Sequence, residues 1–214
     1  MNSSRKKSNK TQNPYVHFKP LNLKIKSQLN KKYLFDNFIK SDSNEDALSA
    51  AFFVSRKPGE KLFNPLLIYG GSGLGKTHLV SAISNEIKER FPKKNVLCVA
   101  SKFFSLQCIK AIENNNRDRF VNWLQLIDVF ILEDIQFLSG QTIVQELILD
   151  VLDTFCQERK QIIITSDQDL IDLKDINPKL LFRFKAGIIV ACPPRIQIKK
   201  TKRYNPELKT SLSF

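Results

Sequence analysis

Glycine is scarce in this 214-residue chain, and four of its seven copies, Gly70, Gly71, Gly73 and Gly75, fall within one short stretch. Other shortages narrow the function class. No apolar run reaches the roughly 20 residues that a membrane-spanning helix needs, and the first residues lack the apolar core of a secretory signal. The four cysteines, Cys98, Cys108, Cys156 and Cys192, form no C-x-x-C pair and have no histidine at ligand spacing. They read as buried thiols in a reducing compartment, which argues against a disulfide framework or a metal knot. Acid is missing from the flanks: residues 1–32 hold nine Lys or Arg and no Asp or Glu, and residues 195–214 hold six against Glu207 alone. The net charge of +13 therefore belongs to the ends, and the middle of the chain is nearly neutral. The first twenty residues, rich in Ser, Asn, Lys and Gln, are too polar to bury a core. Such an arm suits either plain solvation or non-specific contact with nucleic acid phosphates.

The clustered glycines belong to Gly70-Gly71-Ser72-Gly73-Leu74-Gly75-Lys76-Thr77-His78, which fits the G-x-x-x-x-G-K-[ST] spacing of a phosphate-binding loop. Its context is the one the physics requires. An apolar run, Leu66-Leu67-Ile68, precedes it, and Leu79, Ala82, Ile83 and Ile87 follow at helical spacing. Glycines let successive N–H groups face phosphate oxygens at the positive end of the helix. Lys76 would reach the β- and γ-phosphates, and the Thr77 hydroxyl would take one position on Mg²⁺. The chemistry implied is binding of a nucleoside triphosphate.

Apolar strand-like runs alternate with helical patterns over the rest of the middle region. Expected strands are Leu66–Tyr69, Asn95–Ala100, Asp128–Glu133, Gln161–Thr165 and Gly187–Ala191; expected helices are Asp42–Arg56, Lys76–Phe91, Lys102–Asn114, Arg117–Leu126, Thr142–Arg159 and Pro178–Phe184. Strands this apolar have no wet face, so right-handed crossovers put helices on both sides of a parallel sheet. The fold class expected is a three-layer α/β sandwich of the P-loop NTPase type with five parallel strands. The third strand closes on Glu133-Asp134, and in such folds reacting groups gather at the carboxyl ends of the strands. One acid there can hold Mg²⁺ and its neighbour can orient water. The fourth strand runs into Ser166-Asp167, a polar end that could report on the γ-phosphate but that also suits a common turn.

Several segments now carry a more specific message. Tyr33-Leu34-Phe35-Asp36-Asn37-Phe38-Ile39, Ser43-Asn44, Asn64-Pro65, the phosphate loop, Glu133-Asp134-Ile135-Gln136-Phe137-Leu138, Lys160-Gln161, Ser166-Asp167 and Arg183-Phe184 stand in fixed order. In that order and spacing the chain resembles the DnaA bacterial replication initiators over positions 29 to 194, their AAA+ ATPase subdomain. The resemblance implies an ATP-switched assembly factor with ATP and Mg²⁺ as ligands. Thr77 and Glu133 would hold the metal, Asp134 would orient water, Asp167 would act as the first sensor, and Phe38 and Ile39 would pack against adenine. Arg183 matches an arginine finger that acts on a neighbouring AAA+ protomer, either of this chain or of a full-length initiator. A surface arginine at a helix end is the alternative for that residue.

Departures from the family pattern shape the expected activity. Glu133 stands where the family usually has Asp, so nucleotide binding would persist while hydrolysis slows or depends on a partner. The positions matching the family's single-strand DNA grip hold Gln141 and Ile143, and no Lys or Arg occurs between Asp128 and Glu158. After Pro193-Pro194 come twenty residues, six of them Lys or Arg, in place of the family's lid and helix-turn-helix domain. The organisation expected is a basic arm at 1–28, a core at 29–194 and a basic tail at 195–214. Three readings stay open: a short DnaA-like ATPase acting in replication initiation or its regulation, a hydrolysis-deficient interaction module, and a helicase-loader-like ATPase. The expected compartment is the cytoplasm. The wealth of Lys, Asn, Ile and Phe also fits an AT-rich genome, such as that of an endosymbiont or an organelle, with stroma or matrix as the alternative compartment.

Overall fold

The computed structural model describes residues 27–193, so the basic arm up to residue 26 and the tail at 195–214 lie outside the described residues. The expected alternation is present. In chain order the elements are α1 (Glu45–Arg56), β1 (Leu66–Tyr69), α2 (Lys76–Arg90), β2 (Val96–Ala100), α3 (Ser101–Glu113), α4 (Arg117–Leu124), β3 (Val129–Glu133), α5 (Thr142–Gln157), β4 (Gln161–Ser166), α6 (Pro178–Phe184) and β5 (Ile188–Ala191). Short 3-10 turns at Asp42–Asn44, Lys61–Phe63 and Ile135–Leu138 join them.

All five strands run parallel in the order β2-β3-β4-β1-β5. Strand side chains alternate between faces, which splits the core in two. Leu67, Leu97, Val99, Phe130, Leu132, Ile162 and Ile164 face one way, against Phe104 of α3, Phe120 of α4, Phe155 of α5 and Phe184 of α6. Leu66, Ile68, Val96, Cys98, Ile131, Ile163 and Val190 face the other, against Ala47, Ala51 and Val54 of α1 and Leu79, Ile83 and Ile87 of α2. Because the sheet is sandwiched on both sides, β3 and β4 are buried at every position. The expected three-layer α/β sandwich is the fold observed.

β1 sits between β4 and β5, so the loop that leaves its carboxyl end opens beside the ends of β4 and, one strand further, β3. Two of the segments quoted above, Asn64-Pro65 and Lys160-Gln161, work at the opposite, amino ends of the strands. Asn64 Oδ1 accepts from Ile162 N at 2.9 Å, its Nδ2 donates to Lys160 O at 2.7 Å, and buried Gln161 donates to Phe63 O at 3.0 Å while accepting from Gly59 N at 2.8 Å. This network ties the start of β1 to the start of β4 and fixes their register. At the outer edge, Gln28 N donates to Cys98 O at 2.8 Å and Ser27 Oγ accepts from Cys98 N at 2.9 Å. Two residues that the sequence reading left in the N-terminal arm thus cover part of the free edge of β2.

Candidate functional site

The turn from β1 to α2 is built around positions that exclude a side chain. Gly70 has φ of 147°, and a Cβ there would lie 2.2 Å from Cys192 O at the end of β5. Gly75 caps α2 with φ of 96°, and its missing Cβ would lie 3.0 Å from Phe38 Cε2. Gly70 N donates to Ser166 O at 3.2 Å, and the Cys192 thiol donates to Leu74 O at 2.8 Å, so the loop is anchored to β4 and to the residue after β5. Gly71, Ser72 and Gly73 are exposed between these anchors.

Lys76 is the electrostatic centre of the loop. It is buried, and its Nζ donates to Gly70 O at 2.6 Å and Gly71 O at 2.9 Å. No carboxylate pairs with it among the described residues. A buried ammonium without a counter-anion costs several kcal/mol unless an anion joins it, and this one stands at a helix N-terminus ringed by loop amides. Thr77, next along, is exposed at the same helix start.

A cavity of about 510 Å³ opens beside the loop, between Phe38, Ile39 and Asn44 on one side and Gly73, Leu74, Gly75 and His78 on the other. Its walls are shaped by the segment before α1. Asn44 Oδ1 accepts from Ser41 N at 3.0 Å and its Nδ2 donates to Ile39 O at 3.1 Å, which closes the turn carrying Ile39. Phe38 is 8% exposed and Ile39 63%, so the first is a wall and the second an uncovered apolar contact. His78 Nε2 meets Leu34 O at 2.8 Å, and its ring stacks on Tyr33 with centroids 4.6 Å apart. That histidine pins the leading segment onto α2, a structural task the sequence reading had not separated from ligand contact. A larger groove of about 770 Å³ between residues 35–42 and α1 contains no loop residue and carries Asp36, Asp42 and Glu45, a poor seat for phosphate.

The acids stand at the strand ends as expected. Glu133 shares the face of α2; it is 8% exposed, and its Oε1 accepts from the Cys98 thiol at 3.3 Å. The carboxylate therefore leans back along the neighbouring strand. Burial, with the nearby Glu133 charge second, drives the Cys98 thiol far above its ordinary pKa, so it serves as a donor. Asp134 adopts a left-handed conformation, φ 59° and ψ 58°, held by its N–H donating to Thr165 Oγ1 at 3.0 Å. Strain of this kind in a non-glycine residue costs about 1 kcal/mol or more and clusters at functional sites. Asp167 is exposed just past β4, and its N–H reaches Gln136 Oε1 at 3.4 Å, which links the turn after β3 to the end of β4. Among the described residues no group of three or more His, Cys, Asp or Glu could hold a metal unaided. A hydroxyl and a carboxylate suit Mg²⁺ only when phosphate and water oxygens complete its shell, so the donor set fits a nucleotide-borne ion.

Arg183 is the one predicted residue placed elsewhere. It lies on α6, in the layer across the sheet from α2, with its Nε 2.7 Å from Asp153 Oδ1 of α5. Sequence reasoning missed this partner, and also Cys98, Thr165 and Cys192, which all act through contacts between segments far apart in sequence.

Comparisons with known proteins agree with this fold. The family model described as the bacterial DnaA ATPase domain matches residues 29–191. A chromosomal replication initiator protein DnaA from Flavobacterium psychrophilum is 48% identical over 182 residues, which cover 85% of this chain and 38% of that protein. The crystal structure of domain III from the Thermotoga maritima replication initiation protein DnaA superposes with a TM-score of 0.74 at 32% identity, covering 77% of this chain and 68% of that one. A replication initiator DnaA bound to AMPPCP and single-stranded DNA superposes with a TM-score of 0.73 at 33% identity, over 77% of this chain and 51% of that one. The chain thus spans well under half the length of its curated relative, and over that span it belongs to the bacterial DnaA family, matching the family's ATPase domain.

Proposed function

We propose that this protein binds ATP with Mg²⁺ and acts in chromosomal replication initiation or its regulation by nucleotide-dependent assembly with AAA+ protomers, its own or those of a full-length initiator. The observation that carries the reading is the buried Lys76 ammonium, held over the loop with no carboxylate partner among the described residues. It calls for a polyphosphate. The adenine would enter the cavity beside Phe38 and Ile39, with Gly70 to Gly75 on the phosphates and His78 behind. Thr77 and Glu133 would hold the metal, Asp134 would orient water and Asp167 would register the γ-phosphate. Arg183 would act on the nucleotide of a neighbour. A nucleotide-bound relative of the same fold supports the ligand class. The cytoplasm is the compartment such a factor would occupy.

Equilibrium dialysis with labelled ATP tests the reading. Saturable uptake by the wild-type chain is expected, and Lys76→Ala should weaken it about a hundredfold, the range for losing a charge-assisted phosphate contact. Absence of uptake by folded wild-type protein would remove the proposal.

A second reading has an observation of its own. Glu133 leans onto Cys98, which draws the metal-side carboxylate toward the sheet and favours a module that binds nucleotide and turns it over slowly. Contact with nucleic acid would then fall to the basic flanks, because the segment carrying Gln141 and Ile143 has no Lys or Arg between Asp128 and Glu158.

A further inference from the structure

Two buried hydroxyls hold one peptide group, the one between Glu133 and Asp134. Ser101 Oγ, at the start of α3, donates to Glu133 O at 2.7 Å, and Asp134 N donates to Thr165 Oγ1 of β4 at 3.0 Å. Ser101 is 0% exposed and Thr165 1%. They approach from opposite sides, because β3 lies between β4 and β2, and Ser101 directly follows β2. At the end of β3, then, side chains set the angle of this peptide plane. The plane joins the two acids of the site. Asp134 leaves it left-handed, φ 59° and ψ 58°, into a turn buried at Ile135 and Leu138.

We propose that Ser101 and Thr165 are positioning residues that clamp the Glu133–Asp134 peptide plane and thereby fix the stance of the Asp134 carboxylate. This rests on the water-orienting role given to Asp134 above. A peptide plane turns by a paired change in ψ of the residue before it and φ of the residue after it, and a positive φ is the unfavourable member of that pair. Asp tolerates positive φ better than most residues, because its short polar side chain can bond locally. With the carbonyl and the N–H both held, the plane stays in place and φ stays positive. With either hydroxyl gone, φ relaxes toward negative values. The rotamers open to a side chain depend on φ and ψ, so the carboxylate moves with the plane.

The experiment is single-turnover hydrolysis of preloaded ATP by the full chain, alone and with a hydrolysis-dead full-length initiator, set against ATP affinity from equilibrium dialysis. Thr165→Val keeps the branched shape and trades the hydroxyl for a methyl; turnover should fall about tenfold while affinity stays within about twofold. Thr165→Ser returns the oxygen and should recover most of the rate, and Ser101→Ala should slow turnover as Thr165→Val does. In an Asp134→Ala background, Thr165→Val should slow turnover no further, a result that general damage to the fold would not give. If Thr165→Val does not fold, Thr165→Ser against Thr165→Ala carries the same comparison. Turnover at the wild-type rate in Thr165→Val or Ser101→Ala, or affinity falling as far as rate, overturns the clamp and leaves the role of Asp134 standing. A further loss in the Asp134→Ala background overturns it too. An Asp134→Ala variant as fast as wild type, or wild-type protein that hydrolyses nothing in either mixture, sinks the role of Asp134 and the clamp with it.

Discussion

Shortening Glu133 to Asp should make the protein a faster ATPase and a less stable fold. The carboxylate is 8% exposed and accepts from the Cys98 thiol at 3.3 Å, two residues back along the adjacent strand. Removing one buried methylene costs about 0.8 kcal/mol. Withdrawing the acceptor from the thiol adds about 0.5 kcal/mol, at the low end for a hydrogen bond. The sum corresponds to a melting temperature lower by about 3 to 5 °C in a chain of this size. Asp cannot reach Cys98 as Glu does, so its carboxylate stays near the strand end, where the metal and the Thr77 hydroxyl would meet. A misplacement of about 1 Å can cost up to a hundredfold in rate, so we expect turnover to rise about tenfold. The assay is single-turnover hydrolysis of ATP preloaded on the chain, with and without a hydrolysis-dead initiator as neighbour. Unchanged or slower turnover at equal nucleotide occupancy would show that carboxylate reach does not limit the reaction. A melting temperature equal to wild type would contradict the buried seat assigned to Glu133.

Strands and loop were legible because their signals are local. Each strand is built on an apolar run, and the observed bounds differ from the expected ones by at most one residue. Helix ends were read too far along the chain, for identifiable reasons. α5 stops at Gln157 where the expected helix ran to Arg159, because Arg159 turns left-handed at φ 54° and Lys160 N reaches back to Phe155 O at 2.9 Å. α4 stops at Leu124 because Leu126 and Ile127 bond to carbonyls three residues back, Trp123 and Leu124, which tightens the last turn. The start of α1 is delayed to Glu45 because Asn44 spends its side chain on Ser41 and Ile39. What could not be read is whatever depends on strand order. The approach of Cys98 to Glu133 requires β2 beside β3, and the anchoring of Leu74 by Cys192 requires β5 beside β1. Asp153 reaches Arg183 only because α5 and α6 share one face of the sheet. Position in sequence carries no trace of these pairs.

Three further outcomes are expected. Gly75→Ala places a methyl group at φ 96° and 3.0 Å from the Phe38 ring, so stability should fall by about 1 to 2 kcal/mol and ATP affinity with it; urea unfolding and dialysis read both. Deleting residues 1–26 and 195–214, which hold most of the net positive charge, should abolish salt-sensitive DNA binding in a filter assay while ATP uptake persists; retained DNA affinity would place the contact on the core. The third concerns alkaline pH. Burial pushes the Cys98 and Cys108 thiols far above their ordinary value, with Glu133 adding to the first, so the folded chain keeps both protons well past neutrality. The unfolded chain gives them up near pH 8.5. Groups whose folded pKa is raised stabilise fully below the unfolded value and lose that contribution as pH climbs, by about 1.4 kcal/mol per pH unit for each thiol. Urea midpoints should therefore hold steady from pH 6 to 8 and fall between 9 and 10. Cys108→Ala should flatten that decline relative to wild type, since it removes one of the two protons at issue. An equally steep decline in the variant would mean that the loss at alkaline pH comes from other groups and that the Cys108 thiol is not sealed in the core.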